Sequence, residues 1–223
     1  MLGKFKEILT KSFAPTVNVA VKIGLTPNRI TVLGFILSIV VSVLIVGNRV
    51  YPVNLINEWQ RLILASLTIF AMGFCDLLDG LVARTTGKIT IFGGFLDSVL
   101  DRYTEVFIFA AIIIAGYCHP IWGIVAMVGA LLVSYARARA EAAGLKNLGI
   151  GIAERPERLA ILGVAILAQG IFLTSWFPTQ NQIIYWTIVL LAFLTHFTVI
   201  QRFYYAYKRL PKTPTVEKSG GKT

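Results

Sequence analysis

A chain of 223 residues that is 56% hydrophobic and only 14% charged is too apolar for a water-soluble domain of this length. Its apolar runs reach the roughly 20 residues that cross a bilayer and recur along the sequence, which excludes a single signal peptide as their origin. The formal net charge of +10 does not indicate nucleic acid, because Lys and Arg gather at the ends of apolar segments and form no basic soluble domain.

The expected elements follow in chain order. Residues 2–22 set Leu2, Phe5, Ile8, Leu9 and Phe13 at helical spacing with lysines between them, the pattern of an amphipathic helix lying on the membrane surface. Thr26-Pro27-Asn28-Arg29 then breaks the chain and opens a first span, Ile30 to Gly47. A second span runs from Leu62 to Ala83 and a third from Phe92 to Tyr117, joined by a short polar turn. The fourth covers Ile121 to Ala140, the fifth Leu159 to Phe177 and the sixth Ile183 to Tyr205, and residues 208–223 read as a flexible tail rich in Lys, Pro and Gly. The fold class is therefore an all-α integral membrane protein with six transmembrane helices and an N-terminal interfacial helix, built as one domain. Cys75 and Cys118 lack metal-site spacing and read as packing residues.

Six spans put both termini on one side, and the basic residues say which. The amino end, the 84–88 turn, the 137–158 loop and the tail hold most of them, whereas 118–120 and 173–185 hold none. Cytoplasmic loops collect Lys and Arg, so both termini are expected in the cytoplasm of a multi-pass cell-membrane protein.

The second and third spans carry the chemistry. They contain Asp76, Asp79, Asp97 and Asp101, the only aspartates in the chain. Ionised carboxylates inside a membrane segment are costly and mark functional sites. The first two stand three apart and the last two four apart, so each pair shares one helix face. Antiparallel neighbours joined by a short turn can bring the pairs together, and four converging carboxylates need cations. An all-oxygen set suits magnesium, manganese or calcium, and two divalent ions are the economical number. Gly80, Gly93 and Gly94 leave space beside the acids for a helix or a ligand. Arg84 adds a guanidinium able to fork onto phosphate or pair with a carboxylate. An acid cluster serving only to hold helices through Arg84, Lys88 and Arg102 would be less economical than apolar packing.

These residues read D-x2-D-G-x2-A-R-x8-G-x3-D-x3-D from Asp76 to Asp101, a pattern that resembles the signature of the CDP-alcohol phosphotransferases at every position. The resemblance implies a six-helix membrane enzyme, a homodimer, that displaces CMP from a CDP-linked lipid such as CDP-diacylglycerol or CDP-archaeol. It implies that Asp76, Asp79, Asp97 and Asp101 ligate two Mg or Mn ions, with Asp101 also the catalytic base. Gly80, Ala83 and Arg84 would line the CDP site, together with Pro27 and Asn28 from the stretch before the first span.

A second polar island, Ser134 to Glu141 and Gly151 to Arg158, holds more charge than loop bias requires. Arg137, Arg139, Arg155 and Arg158, joined by Arg202, can bind a phosphomonoester through forked hydrogen bonds. The stretches SYxRARAE and ERPER resemble those of phosphatidylinositol phosphate and archaetidylinositol phosphate synthases, which implies inositol 1-phosphate as acceptor and these arginines as its phosphate ligands. Glycerol 3-phosphate would use a similar pocket, and the same arginines can hold anionic lipid headgroups. Outside enzymology, a cation transporter also explains buried aspartates, but the acids fall near one helix end and the second half does not repeat them. His119 and His196 have no ligand-spaced partners and read as structural; Glu105 can bond into the site or pair with Arg102.

Overall fold

The computed structural model describes residues 13–47, 56–145, 150–174 and 182–210, which form seven helices and, among these residues, no strand. They are α1 (Ala14–Lys22), α2 (Pro27–Val46), α3 (Glu58–Thr85), α4 (Ile91–Ile114), α5 (Pro120–Ala142), α6 (Arg155–Thr174) and α7 (Gln182–Arg209). Four of them, α2, α3, α5 and α7, are long and apolar enough to cross a bilayer, so the chain is an all-helical membrane protein. α4 has the length, at 24 residues, but Asp97, Asp101, Arg102 and Glu105 interrupt its apolar run. α6 opens on Arg155, Glu157 and Arg158.

Of the surface helix expected over residues 2–22, the part up to residue 12 lies outside the described residues, as do residues 146–149 of the basic loop and the tail from 211 onward. α1 covers the remainder. Val17 and Ala20 are buried, and the Phe13 ring lies 5.8 Å from that of Phe74 on α3.

Local chemistry sets where the helices begin. Pro27 and Pro120 occupy first-turn positions, where a missing N–H costs no helical bond. Asn57 and Gln60 form a capping box at α3, the Asn57 N–H donating to Gln60 Oε1 at 3.0 Å. Thr90 caps α4 by accepting from the Gly93 N–H at 2.9 Å. His119 caps α5, its Nδ1 accepting from the Ile121 N–H, and His196 Nδ1 lies 2.9 Å from the Ala192 carbonyl.

α3 packs against α2 and α6, α4 against α2 and α5, and α7 against α5 and α6. Leu62, Ile69, Met72, Ile108, Phe109, Ile112, Leu162, Ile166, Ile188 and Leu191 fill the centre. Since lipid is as apolar as leucine, what holds such helices is close packing and hydrogen bonding between them. The Ser66 hydroxyl donates to the Gly163 carbonyl across the α3–α6 contact at 2.7 Å. Between α5 and α7, Gly129 meets buried Thr195 so closely that a Cβ at Gly129 would lie 2.1 Å from its Oγ1. Residues such as Ile36, Val40, Leu64, Leu67, Phe193 and Ile200 stay exposed on the outside, where lipid would cover them. Cys75 and Cys118 are buried free thiols.

Candidate active site

The acids sit at the end of α3 and the start of α4, on either side of the turn at Thr86–Thr90, where Gly87 takes a φ of +65°. Asp76, Asp97 and Asp101 come together here: each offers a carboxylate oxygen within 4.8 Å of the others. Asp79 is not part of that group. An i,i+3 step rotates a side chain about 60° around a helix, and Asp79 faces the neighbouring cavity, 8% exposed, accepting a 2.7 Å hydrogen bond from the Thr31 hydroxyl of α2. Asp97 lines both cavities. The donor set of Asp76, Asp97 and Asp101 is all carboxylate and fits a hard divalent cation.

Arg155, at the first turn of α6, reaches into the cluster. Its Nη2 donates to Asp101 Oδ1 at 2.9 Å and its Nη1 pairs with Asp76. The apolar run of α6 starts at Leu159, but the helix starts at Arg155, with Pro156 in a first turn that tolerates it. That places Arg155 on a rigid element.

Two polar cavities flank the acids. The larger, about 430 Å³, is lined by Asp76, Asp97, Asp101, Ser134, Arg137, Glu154, Arg155, Arg158 and Arg202. Four of the five expected phosphate ligands therefore share one chamber with three of the acids. Arg139 does not line it: three residues after Ser134 and five after, Arg137 and Arg139 point to different sides of α5, and Arg139 is exposed. The four arginines differ in what they already hold. Arg137 is exposed and pairs with Glu141 at 2.9 Å. Arg202 is 2% exposed and donates to the carbonyls of Ile150 and Val133, at 2.9 and 2.6 Å, and to Glu154 at 2.8 Å. Arg158 is 1% exposed and bound to Glu105 and the Ala153 carbonyl. Arg155 keeps a buried Nε with no partner among the described residues. Arg102 donates to the Ser98 carbonyl, and Glu105 pairs with Arg158, not with Arg102.

The smaller cavity, about 170 Å³, is lined by Pro27, Asn28, Thr31, Asp79, Gly80, Ala83, Lys88, Thr90, Gly93, Gly94 and Asp97. Four of the five residues expected at the nucleotide site are here. Arg84 is exposed outside the lining, with its Nη2 3.5 Å from where a Gly80 Cβ would stand. A Cβ at Gly94 would meet nothing within 4 Å, so this glycine widens the cavity and does not serve helix contact. Thr31, Lys88 and Thr90 are additions. Thr31 follows Asn28 by three residues on α2, and Lys88 sits in the turn beside the acids, so both were findable by spacing.

A third, apolar groove of about 440 Å³ runs between α3 and α6, lined by Ile69, Phe70, Gly73, Leu77, Leu159 and Ala160 and ending at Asp76 and Pro156.

Known proteins resemble this chain over most of its length. Residues 24–197 match the CDP-alcohol phosphatidyltransferase family. The archaetidylinositol phosphate synthase of Pyrococcus horikoshii is 36% identical over 210 residues, covering 94% of this chain and 98% of that protein. The phosphatidylinositol phosphate synthase of Corynebacterium glutamicum is 31% identical over 218 residues, 93% of this chain and 90% of that one. Among solved structures, the Mycobacterium tuberculosis phosphatidylinositol phosphate synthase with CDP-DAG bound superposes with a TM-score of 0.69 at 27% identity, covering 86% of this chain and 92% of that one. The same enzyme with manganese and citrate gives 0.70, with 86% and 88% covered. With its signature acids, flanking cavities and near full-length relatives in agreement, this chain belongs to the CDP-alcohol phosphatidyltransferase family, membrane transferases of phospholipid biosynthesis.

Proposed function

We propose that the protein transfers a phosphatidyl-type or archaetidyl-type group from CDP-diacylglycerol or CDP-archaeol to inositol 1-phosphate, releasing CMP. The observation that carries this reading is the shared chamber: Asp76, Asp97 and Asp101 line one 430 Å³ space together with Arg137, Arg155 and Arg202. An acceptor with a phosphomonoester needs cations a few ångströms from the reacting centre, and serine or free inositol does not. The names of the relatives in Pyrococcus and Corynebacterium support the same acceptor.

In this reading the cytidine diphosphate lies in the smaller cavity, against the open backbone of Gly80 and Gly94, with Pro27, Asn28, Ala83 and Lys88 around it and Arg84 above Gly80. The apolar groove between α3 and α6 takes one lipid chain, since it ends at Asp76, where the lipid-side phosphate belongs. Asp76, Asp79, Asp97 and Asp101 hold two divalent ions, Mg or Mn. When bound, such ions neutralise the diphosphate and the charge that grows on the departing CMP. Arg137, Arg155 and Arg202 orient the acceptor phosphate, Arg155 through its unpaired Nε. Asp101 takes the acceptor hydroxyl proton. The hydroxyl oxygen bonds to the lipid-side phosphorus, the bond from that phosphorus to the bridging oxygen breaks, and the electron pair leaves with CMP. Arg155, bonded to Asp101 at 2.9 Å, fixes the base against the acceptor it orients. α4 and α6 complete a six-span bundle, as a homodimer, with the acids and both termini at the cytoplasmic face, in keeping with the distribution of Lys and Arg.

The test is CMP release by the purified, detergent-solubilised protein with Mg or Mn and each CDP-lipid, comparing inositol 1-phosphate, glycerol 3-phosphate, serine and free inositol. Release with inositol 1-phosphate alone is the expected result. Release with serine or free inositol, and not with either phosphate, would remove the arginine chamber as acceptor site.

A further inference from the structure

We propose that the buried ion pair between Glu105 and Arg158 is a positioning device that sets where Arg155 stands in the acceptor chamber; the inference rests on Arg155 being an acceptor-phosphate ligand. Both side chains are nearly inaccessible, 3% and 1% exposed. Arg158 Nε and Nη2 donate to the same Glu105 oxygen at 2.8 and 2.5 Å, while Nη1 donates to the Ala153 carbonyl at 2.5 Å.

Two features separate this pair from ordinary helix glue. First, it repeats a contact already at the site. Glu105 follows Asp101 by four residues on α4, and Arg158 follows Arg155 by three on α6, so the buried pair lies one helical turn deeper than the Asp101–Arg155 pair. α4 and α6 are not among the helix pairs whose backbones pack closely. Long arginine side chains span the gap in two successive rungs, and the inner rung fixes how α6 is rotated and how far it is advanced relative to α4.

Second, Arg158 also holds the segment that leads into its own helix. Ala153 is 0% exposed; its carbonyl accepts from Arg158, and its N–H donates to Thr198 Oγ1 at 3.2 Å. Two residues earlier, Gly151 has a φ of +154°, and a Cβ there would lie 2.4 Å from Thr198 Cγ2. The chain is thus pinned two residues before Arg155. Apolar side chains could fill this volume, but they could not grip a carbonyl and a carboxylate at once, so the polarity is explained by placement and not by packing.

The test compares single variants with the double variant Glu105→Leu/Arg158→Met in the CMP-release assay, with thermal unfolding in detergent measured alongside. Each single variant leaves one buried charge without its partner and should unfold at lower temperature. The double variant leaves no such charge and should recover most of the unfolding temperature. It should nevertheless show a KM for inositol 1-phosphate raised at least tenfold, with the CDP-lipid KM within twofold of the parent. A purely structural pair predicts recovery of both, and a double variant with the parental acceptor KM would overturn the inference. Arg158→Lys, which keeps the charge but cannot reach Glu105 and Ala153 together, gives the same decision if the double variant does not fold: a raised acceptor KM supports positioning and an unchanged one refutes it. A parent enzyme that uses neither inositol 1-phosphate nor glycerol 3-phosphate would instead remove the acceptor reading, and the positioning of Arg155 with it.

Discussion

Substituting Gly129 by alanine tests how the width of the acceptor chamber is set. The added Cβ would lie 2.1 Å from Thr195 Oγ1 and 2.8 Å from Thr195 Cβ and His196 Nδ1, distances no non-bonded carbon tolerates. Thr195 has no room to turn away: it is 0% exposed and its hydroxyl donates to the Leu191 carbonyl at 2.8 Å. The α5 and α7 backbones must therefore separate. Overpacking of this kind costs about 1–3 kcal/mol, and contact this close to the backbone belongs at the upper end. For a chain of this size about 3 kcal/mol lowers the unfolding temperature by about 6–12 °C. Two helical turns further along the same seam, α5 carries Arg137 and α7 carries Arg202, whose Nη1 grips the Val133 carbonyl of α5 at 2.6 Å. Spreading the helices should strain that bond and raise the acceptor KM while sparing the CDP-lipid KM. Adding Thr195→Ala removes the 2.1 Å contact and leaves the two 2.8 Å ones, so it should return only part of the lost stability, and by itself it costs about 1 kcal/mol in hydrogen bonding. Thermal unfolding in detergent and acceptor kinetics read both effects. A Gly129→Ala protein with parental unfolding temperature and acceptor KM would refute the close approach of α5 and α7.

Other substitutions separate the roles of the site residues. Asp101→Asn should still bind CDP-lipid, measured by equilibrium binding of a labelled donor, while turnover falls by about 10²–10⁴; retained turnover removes Asp101 as base. Thr31→Val keeps the β-branched shape but loses the hydrogen bond to Asp79, a charge-assisted bond that contributes about 1.5–3 kcal/mol. Manganese binding followed by electron paramagnetic resonance should weaken by about 10–100-fold, and unchanged affinity would mean Asp79 needs no orienting. Arg155→Ala should raise the inositol 1-phosphate KM, whereas Arg139→Ala, outside the chamber, should leave it within twofold; equal effects of the two would contradict the assignment of the chamber wall.

The acid motif was legible because nothing else in the chain competes with it: four aspartates, all in two neighbouring apolar segments, at spacings that fix a shared face. Its division was not. That Asp79 turns to Thr31 while Asp76, Asp97 and Asp101 group together depends on how α2 packs against both α3 and α4, which spacing within one helix does not specify. The arginine island was legible as a cationic surplus, but the sequence treats its members alike. Arg139 leaves the chamber by helix rotation alone. Arg158 and Arg202 find partners at sequence separations of 53 and 48, in Glu105 and Glu154, and no local pattern announces a contact of that range. The start of α6 was placed late because Pro156 and the charges around it look like a loop; a first helical turn accepts proline and leaves its N–H groups free, so the same residues begin the helix.

That shift of four residues has a functional consequence. Had α6 begun at Leu159, Arg155 would stand on a loop, free to reach the phosphate but unable to hold Asp101 and Asp76 at fixed places. On the first turn of α6, its guanidinium is bound by geometry to two carboxylates. Asp76 and Pro156 line both that chamber and the apolar groove between α3 and α6. One helix start thus borders the apolar groove, the acids and the polar chamber. In the reaction proposed above, a membrane-soluble donor and a water-soluble acceptor would meet there, beside a charge held by Asp76 and Asp101.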